Sequence, residues 1–156
     1  MKDSKLTMGI GVRMKTEWEM VLECKECLEQ KKEYKKIECE IPFLSRCIDM
    51  VLISQSDKVI TIEFKLTKWR DAIAQAYDHL RGADYAYVCM PKRNPSGKLI
   101  DALKQNGIGL LLYDEQASVD QRIDVYLEAE KSNRRIDVLS GDIIRNVELC
   151  GSIQAL

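Results

Sequence analysis

Two apolar stretches, Cys47-Ile-Asp-Met-Val-Leu-Ile53 and Lys58-Val-Ile-Thr-Ile-Glu-Phe-Lys-Leu66, decide how this chain of 156 residues folds. Both are rich in the β-branched and large apolar residues that are typical of strands. Each nevertheless carries an acidic residue, Asp49 in the first stretch and Glu63 in the second. Because a buried charge is costly unless it is paired or used, these two acids are the first candidates for function.

The second strand carries its charges on one face. Side chains alternate along a strand, so Thr61, Glu63 and Lys65 project to one side, and the apolar residues between them project to the other. A glutamate and a lysine two positions apart on an otherwise apolar strand form an ion pair, or they persist because they perform chemistry. Asp49 on the neighbouring strand is a third charge in the same part of the predicted core.

The pattern around these strands predicts an α/β fold with the element order α-β-β-β-α-β-α-β. The first helix is predicted over Thr16–Lys32, with Thr16 as its N-cap and Trp18, Val21, Leu22 and Leu28 recurring at helical spacing. The other elements are predicted as a strand over 37–41, a helix over 68–81, a strand over 83–90, a helix over 99–105 and a strand over 108–113. The two late crossovers require parallel neighbours, so we expect a mixed sheet with helices on both faces.

The chain is expected to form one unit with a core and an extension. Residues 1–113 hold the predicted core, and residues 114–156 are predicted to be a helical or irregular C-terminal extension of the same domain. The first fifteen residues lack the apolar segment of a secretory signal, and no run reaches the ~18–20 apolar residues of a membrane span. We therefore expect a cytoplasmic protein.

The charge balance argues against a large non-specific surface for polyanions. The chain has 24 lysines and arginines, 25 aspartates and glutamates and one histidine, giving a net charge of −1. Positive charge is concentrated locally, because residues 58–104 hold nine basic and five acidic residues. Any contact with nucleic acid is expected to come from this middle region.

The three charges make up the parts of a hydrolytic site. Two carboxylates beside a backbone carbonyl offer the hard oxygen ligands that Mg²⁺ takes, with water in its remaining positions. A neighbouring lysine can orient an attacking water, while a metal stabilises charge on a phosphoryl oxygen. Asp49, Glu63 and Lys65 together therefore indicate metal-assisted hydrolysis of a phosphodiester.

Asp49, followed fourteen positions later by Glu63-Phe-Lys65, resembles the motif of the PD-(D/E)xK nuclease superfamily, which includes restriction endonucleases and Holliday-junction resolvases. The resemblance runs from about Glu17 to Tyr113 and implies a restriction endonuclease-like αβββαβ core. It also implies that Asp49, Glu63 and the backbone carbonyl of Phe64 bind Mg²⁺ or Mn²⁺, and that Lys65 positions the nucleophilic water. One departure from the motif is Ile48, which stands where the family usually has proline.

Two further positions match features that many members of that family share. An acid on the first helix corresponds here to Glu17, which lies on the stripe of Val21, Cys24 and Leu28. A glutamine on the helix after the Glu-x-Lys strand corresponds to Gln75, with His79 one turn beyond it. The resemblance implies that Glu17 and Gln75 support the catalytic centre.

The resemblance also implies a partner, which is nucleic acid, with DNA expected rather than RNA and endonucleolytic rather than exonucleolytic cleavage. Candidate contacts to it are Arg46, Lys68, Arg70 and Arg81. No separate recognition module is visible, so we expect a homodimer or a partner protein that supplies recognition. Restriction, defence and repair are all possible settings for such a nuclease.

Several other interpretations stay open. A catalytically silent nuclease-fold subunit could bind nucleic acid or a partner protein, and a metal-independent ligand-binding domain could use the same charges as a structural network. Glu17 could be an ordinary acid at a helix N-terminus, where the helix dipole stabilises it. His79 is expected to be a satisfied or partly exposed histidine rather than a ligand.

Overall fold

A computed structural model of the chain describes residues 15–155, with side chains described as far as residue 152. Residues 1–14, in which no secretory signal is expected, and residue 156 lie outside the described residues. The helices are α1 (Glu17–Lys31), α2 (Trp69–His79), α3 (Gly97–Asn106) and α4 (Asp137–Ala155), with a short 3-10 helix at Val119–Gln121. The strands are β1 (Tyr34–Phe43), β2 (Arg46–Ser54), β3 (Val59–Phe64), β4 (Tyr85–Pro91), β5 (Gly109–Tyr113) and β6 (Ile123–Leu127).

The six strands form one mixed sheet in the order β1-β2-β3-β4-β5-β6. The first three strands form an antiparallel meander, β3 and β4 are parallel, β4 and β5 are parallel, and β6 returns antiparallel to β5. The predicted α/β class, the αβββαβ order and the mixed sheet flanked by helices are confirmed. Within residues 15–155, none of the helices combines the length and apolar character that crossing a membrane requires.

Helix α1 begins where its sequence predicts. The Thr16 hydroxyl accepts the Glu19 N–H (3.1 Å) and the Glu19 carboxylate accepts the Thr16 N–H (2.9 Å), which completes a capping box. Trp18 and Leu22, whose helical spacing helped to predict α1, do not lie on its buried face, because they are 47% and 46% exposed. The buried stripe of α1 runs instead through Met20, Val21, Cys24, Cys27 and Leu28, which leaves these two large side chains on its flank.

The helices cover both faces of the sheet, and strand β3 contributes to both. Ile62 and Phe64 pack with the buried stripe of α1 on one face. Glu63 points the other way and contacts α2, as the alternation of the strand predicts. Helices α2 and α3 pack on β4 and β5, and α4 packs on β1 and β2 on the same side.

The C-terminal extension is more ordered than expected. Strand β6 was not predicted, because Val125 and Tyr126 are exposed at a sheet edge and do not show the apolar pattern of a buried strand. Helix α4 agrees with the helical alternative and buries Ile143 and Val147 against β1 and β2.

Asp84, just before β4, ties the segment ahead of α4 to the sheet. Its carboxylate accepts the Val59 N–H (2.8 Å) and lies 3.2 Å from Arg135 Nε, while its carbonyl accepts the Ser132 N–H (2.8 Å). Only 3% of Asp84 is exposed. Because this buried acid has both a hydrogen bond and a cationic partner, its role is to stabilise the fold, and its burial does not require a functional explanation.

We predict that Asp84→Ala lowers the free energy of unfolding by about 2–3 kcal/mol, because it leaves the buried Val59 N–H without its acceptor and removes the more buried of the two acids that pair with Arg135. Urea denaturation monitored by circular dichroism measures the change. Asp142→Ala is the matched control, since it breaks the more exposed pair with Arg145, and it should cost less than about 1 kcal/mol. Equal losses in the two variants would contradict the structural role of Asp84.

Candidate functional site

The candidate site lies where β2 and β3 separate. Backbone pairing between the two strands runs from Ile53↔Val59 to Met50↔Ile62. Beyond that point the next two amides bond to side chains, since the Phe64 N–H donates to Asp49 Oδ2 (2.9 Å) and the Asp49 N–H donates to Glu63 Oε2 (3.2 Å). The two predicted metal-binding acids are therefore adjacent, and each binds the backbone beside the other.

Burial disfavours the charged forms of both acids. Burial, followed by the nearby Asp49 carboxylate, raises the pKa of Glu63 to about 8. Burial also raises the pKa of Asp49, against hydrogen bonds from its neighbours and the positive charge of Lys65. Lys65, at the end of β3, is half-buried and continues the sheet through its N–H, which donates to the Cys89 carbonyl (3.1 Å). The surroundings of the two acids, with Lys65 as the neighbouring cation, thus disfavour two negative charges side by side in the absence of a metal.

Gln75, on α2, forms a hydrogen bond with the Glu63 carboxylate. With its amide oriented so that both ends are satisfied, Gln75 donates to Glu63 Oε1 (2.5 Å) and accepts from Arg46 Nη1 (3.2 Å). Arg46 opens β2, so this chain of contacts joins the start of β2 to the acid of β3 through a helix. The predicted site residues Glu63 and Gln75 and the predicted nucleic-acid contact Arg46 are thus in one network.

His79 is a site neighbour that the sequence interpretation missed. It was expected to be a satisfied or partly exposed histidine, but it is buried, its Nδ1 has no hydrogen-bond partner among the described residues, and that atom lies 3.7 Å from Glu63 Oε2. Burial lowers the pKa of His79 to about 4. Near pH 7 this histidine is therefore neutral, and its contact with a largely protonated Glu63 is not an ion pair in the metal-free protein. The signal for its position was its spacing of one turn from Gln75.

Glu17 reaches the site from α1. Glu17 Oε2 accepts the N–H of Leu66, the residue that follows Lys65 (3.2 Å). The negative charge of Glu17 also contributes to the raised pKa of Asp49. The helix that carries Glu17 is anchored separately by Glu23, which lies 2.7 Å from Lys15 Nζ and 3.2 Å from Arg122 Nη1. Glu17 therefore fixes the end of the strand that presents Lys65.

The four predicted nucleic-acid contacts divide into two groups. Arg46 and Arg81 line a small cavity, of ≈ 60 Å³, together with Gln75 and His79. Lys68 precedes α2 and is exposed. Arg70 lies over the Trp69 ring (4.2 Å from its centre) and lines a separate depression between α2 and α3. The structure therefore brings Arg46 and Arg81, but not Arg70, next to the candidate site.

The carboxylate pair has the chemistry of a divalent cation site. Within residues 15–155, His, Cys, Asp and Glu side chains form no group of three or more that could hold a metal ion. Mg²⁺ is commonly bound by only one or two carboxylates, with water in its other positions. Two adjacent buried acids with raised pKa values lack the positive charge that such a cation supplies. The chemistry of Asp49 and Glu63 therefore fits a divalent cation.

No protein-family model and no curated protein sequence matches the chain. Solved structures do resemble it. A protein of unknown function from Silicibacter pomeroyi is similar over 81% of this chain and 80% of its own, with a TM-score of 0.61 and 13% identity. A repair endonuclease from Pyrococcus abyssi is similar over 65% of this chain and 48% of its own, with a TM-score of 0.52 and 18% identity.

These likenesses are of fold. The chain shares a nuclease-like α/β fold with the endonuclease and spans about half of that protein's length. The Silicibacter protein shares the architecture over more of the chain. Fold alone does not establish an activity, so the argument for function rests on the residues of the site.

We predict that the metal-free protein loses stability as the pH rises from 6.5 to 8. Folded Glu63 keeps its proton up to about pH 8, whereas an ordinary glutamate loses it near 4.5, so unfolding releases a proton over this range. The free energy of unfolding should then fall by up to ~1.4 kcal/mol per pH unit. His79, whose pKa drops from 6.5 to about 4 on folding, contributes the opposite trend only below pH 6.5.

Urea denaturation in EDTA across this pH range tests the prediction. Glu63→Gln should abolish the fall, while Glu26→Gln, at an exposed position on α1, should leave it intact. A flat profile in the unsubstituted protein would show that Glu63 is not the buried acid described here.

Proposed function

We propose that the protein is a metal-dependent nuclease of the PD-(D/E)xK kind, which hydrolyses phosphodiester bonds in nucleic acid, with DNA as the expected substrate. The observation that carries the proposal is the pair of hydrogen bonds at the point where β2 and β3 separate: Glu63 accepts the Asp49 N–H, and Asp49 accepts the Phe64 N–H. Lys65, two residues beyond Glu63, supplies the third member of the motif.

Asp49 and Glu63 would hold Mg²⁺ or Mn²⁺, together with the backbone carbonyl of Phe64. When bound, such a cation offsets the negative charge that develops on a scissile phosphate. Lys65 would orient the attacking water, whose oxygen bonds to phosphorus as the bond to the leaving sugar oxygen breaks. Gln75 would keep the Glu63 carboxylate in place, and Glu17 would keep the strand end that carries Lys65 in place.

The charges around the site support a polyanionic substrate. Arg46 and Arg81 lie on the cavity beside Gln75, and guanidinium groups bind phosphate well. A net charge of −1 limits the affinity that the chain achieves by charge alone. We therefore propose that a second copy of the chain or a partner protein adds recognition to the weaker binding of DNA by the chain itself.

The central prediction is metal-dependent cleavage that requires Lys65. Supercoiled plasmid and a single-stranded DNA oligonucleotide should be cut in Mg²⁺ or Mn²⁺ and not in EDTA. Lys65→Ala should lower the rate at least about 100-fold, because it removes the group that prepares the water. Gel electrophoresis over a time course measures both effects.

The matched control is Lys31→Ala. Lys31 is the last residue of α1, whereas Glu17 is the first, so this variant should retain full activity. Cleavage that survives Lys65→Ala would contradict the proposed site. Absence of cleavage in a folded protein that still binds DNA would favour the catalytically silent subunit instead.

We further predict that Gln75→Ala lowers the cleavage rate about 10–100-fold, since residues that orient metal ligands commonly contribute that much. Gln105→Ala, an exposed glutamine on α3, serves as the control and should leave the rate unchanged. Raising the Mn²⁺ concentration should restore part of the activity of Gln75→Ala if its role is to orient Glu63. Wild-type activity in Gln75→Ala would remove Gln75 from the proposed mechanism.

A further inference from the structure

The hairpin between β1 and β2 ends in an unusual residue. Phe43 pairs with Arg46, so the turn consists of Leu44 and Ser45 alone. Leu44 has a φ of 56°, whereas Ser45 is not among the residues with positive φ. A two-residue turn with positive φ at its first position favours glycine there. Leucine at this position is strained, and backbone strain of this kind concentrates at functional sites.

The Leu44 side chain is also not used for packing to any large extent. It is 54% exposed, although it lies at the edge of the contact between the hairpin and α4. A bulky apolar side chain that is both strained and solvent-facing adds little to the stability of the fold. Its chemistry is therefore better suited to contact with something outside the chain.

The tip of this hairpin borders the candidate site. Leu44, Arg46, Gln75 and His79 line the same small cavity, and Gln75 contacts Glu63. His79 Nδ1, in a side chain only 5% exposed, has no hydrogen-bond partner among the described residues. The tip of the hairpin is thus linked to the acid of β3 through Gln75, which lines the cavity and contacts Glu63.

The charged residues around the tip of the hairpin indicate what kind of molecule would contact Leu44. Arg46 and Arg81 line the cavity against one acid, Asp78, which lies 3.8 Å from Arg81. The surroundings of Leu44 are thus apolar at the tip and positively charged at its base. That combination matches a nucleic-acid strand, whose phosphates pair with arginine and whose bases accept an apolar side chain between them.

We propose that Leu44 is a wedge that inserts against the bases of duplex DNA beside the cleavage site, while Arg46 and Arg81 hold the adjacent backbone. The inference rests on the proposed nuclease function and extends it to substrate deformation. Unstacking a base step next to the carboxylates makes the scissile phosphate accessible in a duplex. A single strand needs no such opening, so Leu44 acts on duplex substrates only.

The test is base unstacking measured by 2-aminopurine fluorescence. Duplexes carrying the probe at successive positions are bound by the Lys65→Ala protein, which leaves the DNA intact, and anisotropy reports binding. We expect fluorescence to rise at one or two adjacent positions. Leu44→Gly in the same background should lose at least about half of that rise, and Leu44→Met should keep it. Leu149→Ala, which removes another exposed leucine from α4, should also keep it.

Folding and activity controls separate the outcomes. Leu44→Gly should not lower the melting temperature, because glycine accepts the positive φ. In the protein that retains Lys65, Leu44→Gly should leave cleavage of a single-stranded oligonucleotide unchanged. Binding without any rise, or an equal rise in Leu44→Gly, would overturn the wedge and leave the nuclease proposal standing. A protein that neither binds nor cuts DNA would overturn both proposals, and capture of a protein partner through Leu44 in that case would identify the tip as a protein contact.

Discussion

The rest of the candidate site depends on one arrangement where β2 leaves β3: the Glu63 carboxylate accepts the Asp49 N–H, and the Asp49 carboxylate accepts the Phe64 N–H. Each carboxylate takes the place of the next backbone acceptor in the ladder. The sheet can therefore open without leaving buried N–H groups unsatisfied. The same substitution brings two acids together in a place where neither is well solvated. The arrangement that allows the strands to separate thus also brings together the two acids that we propose as metal ligands.

Two helices fix the geometry around this pair of acids. Helix α1 supplies Glu17, which holds the chain after Lys65, and α2 supplies Gln75 and His79, which contact Glu63. The amphipathic packing of both helices is ordinary, so the side chains that reach the site are carried on rigid elements. Rigid support of this kind allows a site to keep its acids close despite their mutual repulsion.

The sequence predicts most of the fold because its strands and helices have strong patterns. The alternation in β3 placed Glu63 and Lys65 opposite Ile62 and Phe64, and Thr16 marked the start of α1. Strand β6 was missed because a half-exposed edge strand lacks a buried pattern, and Trp18 fits the helical spacing without lying on the buried face, because apolar side chains also occur at the flank of a buried stripe. The spacing of one turn from Gln75 indicated the side of α2 on which His79 lies, but its contact with Glu63 depends on how α2 crosses the sheet.

The most direct test of the cation site is titration calorimetry with Mn²⁺ at pH 7, carried out in two buffers with different ionisation enthalpies. Glu63 holds its proton in the metal-free protein, since burial raises its pKa to about 8. Metal binding should therefore release roughly one proton, giving heats that differ between the buffers. Glu63→Gln should abolish that difference, and Asp49→Asn should weaken binding. No binding by the unsubstituted protein, or binding that neither substitution alters, would contradict the account.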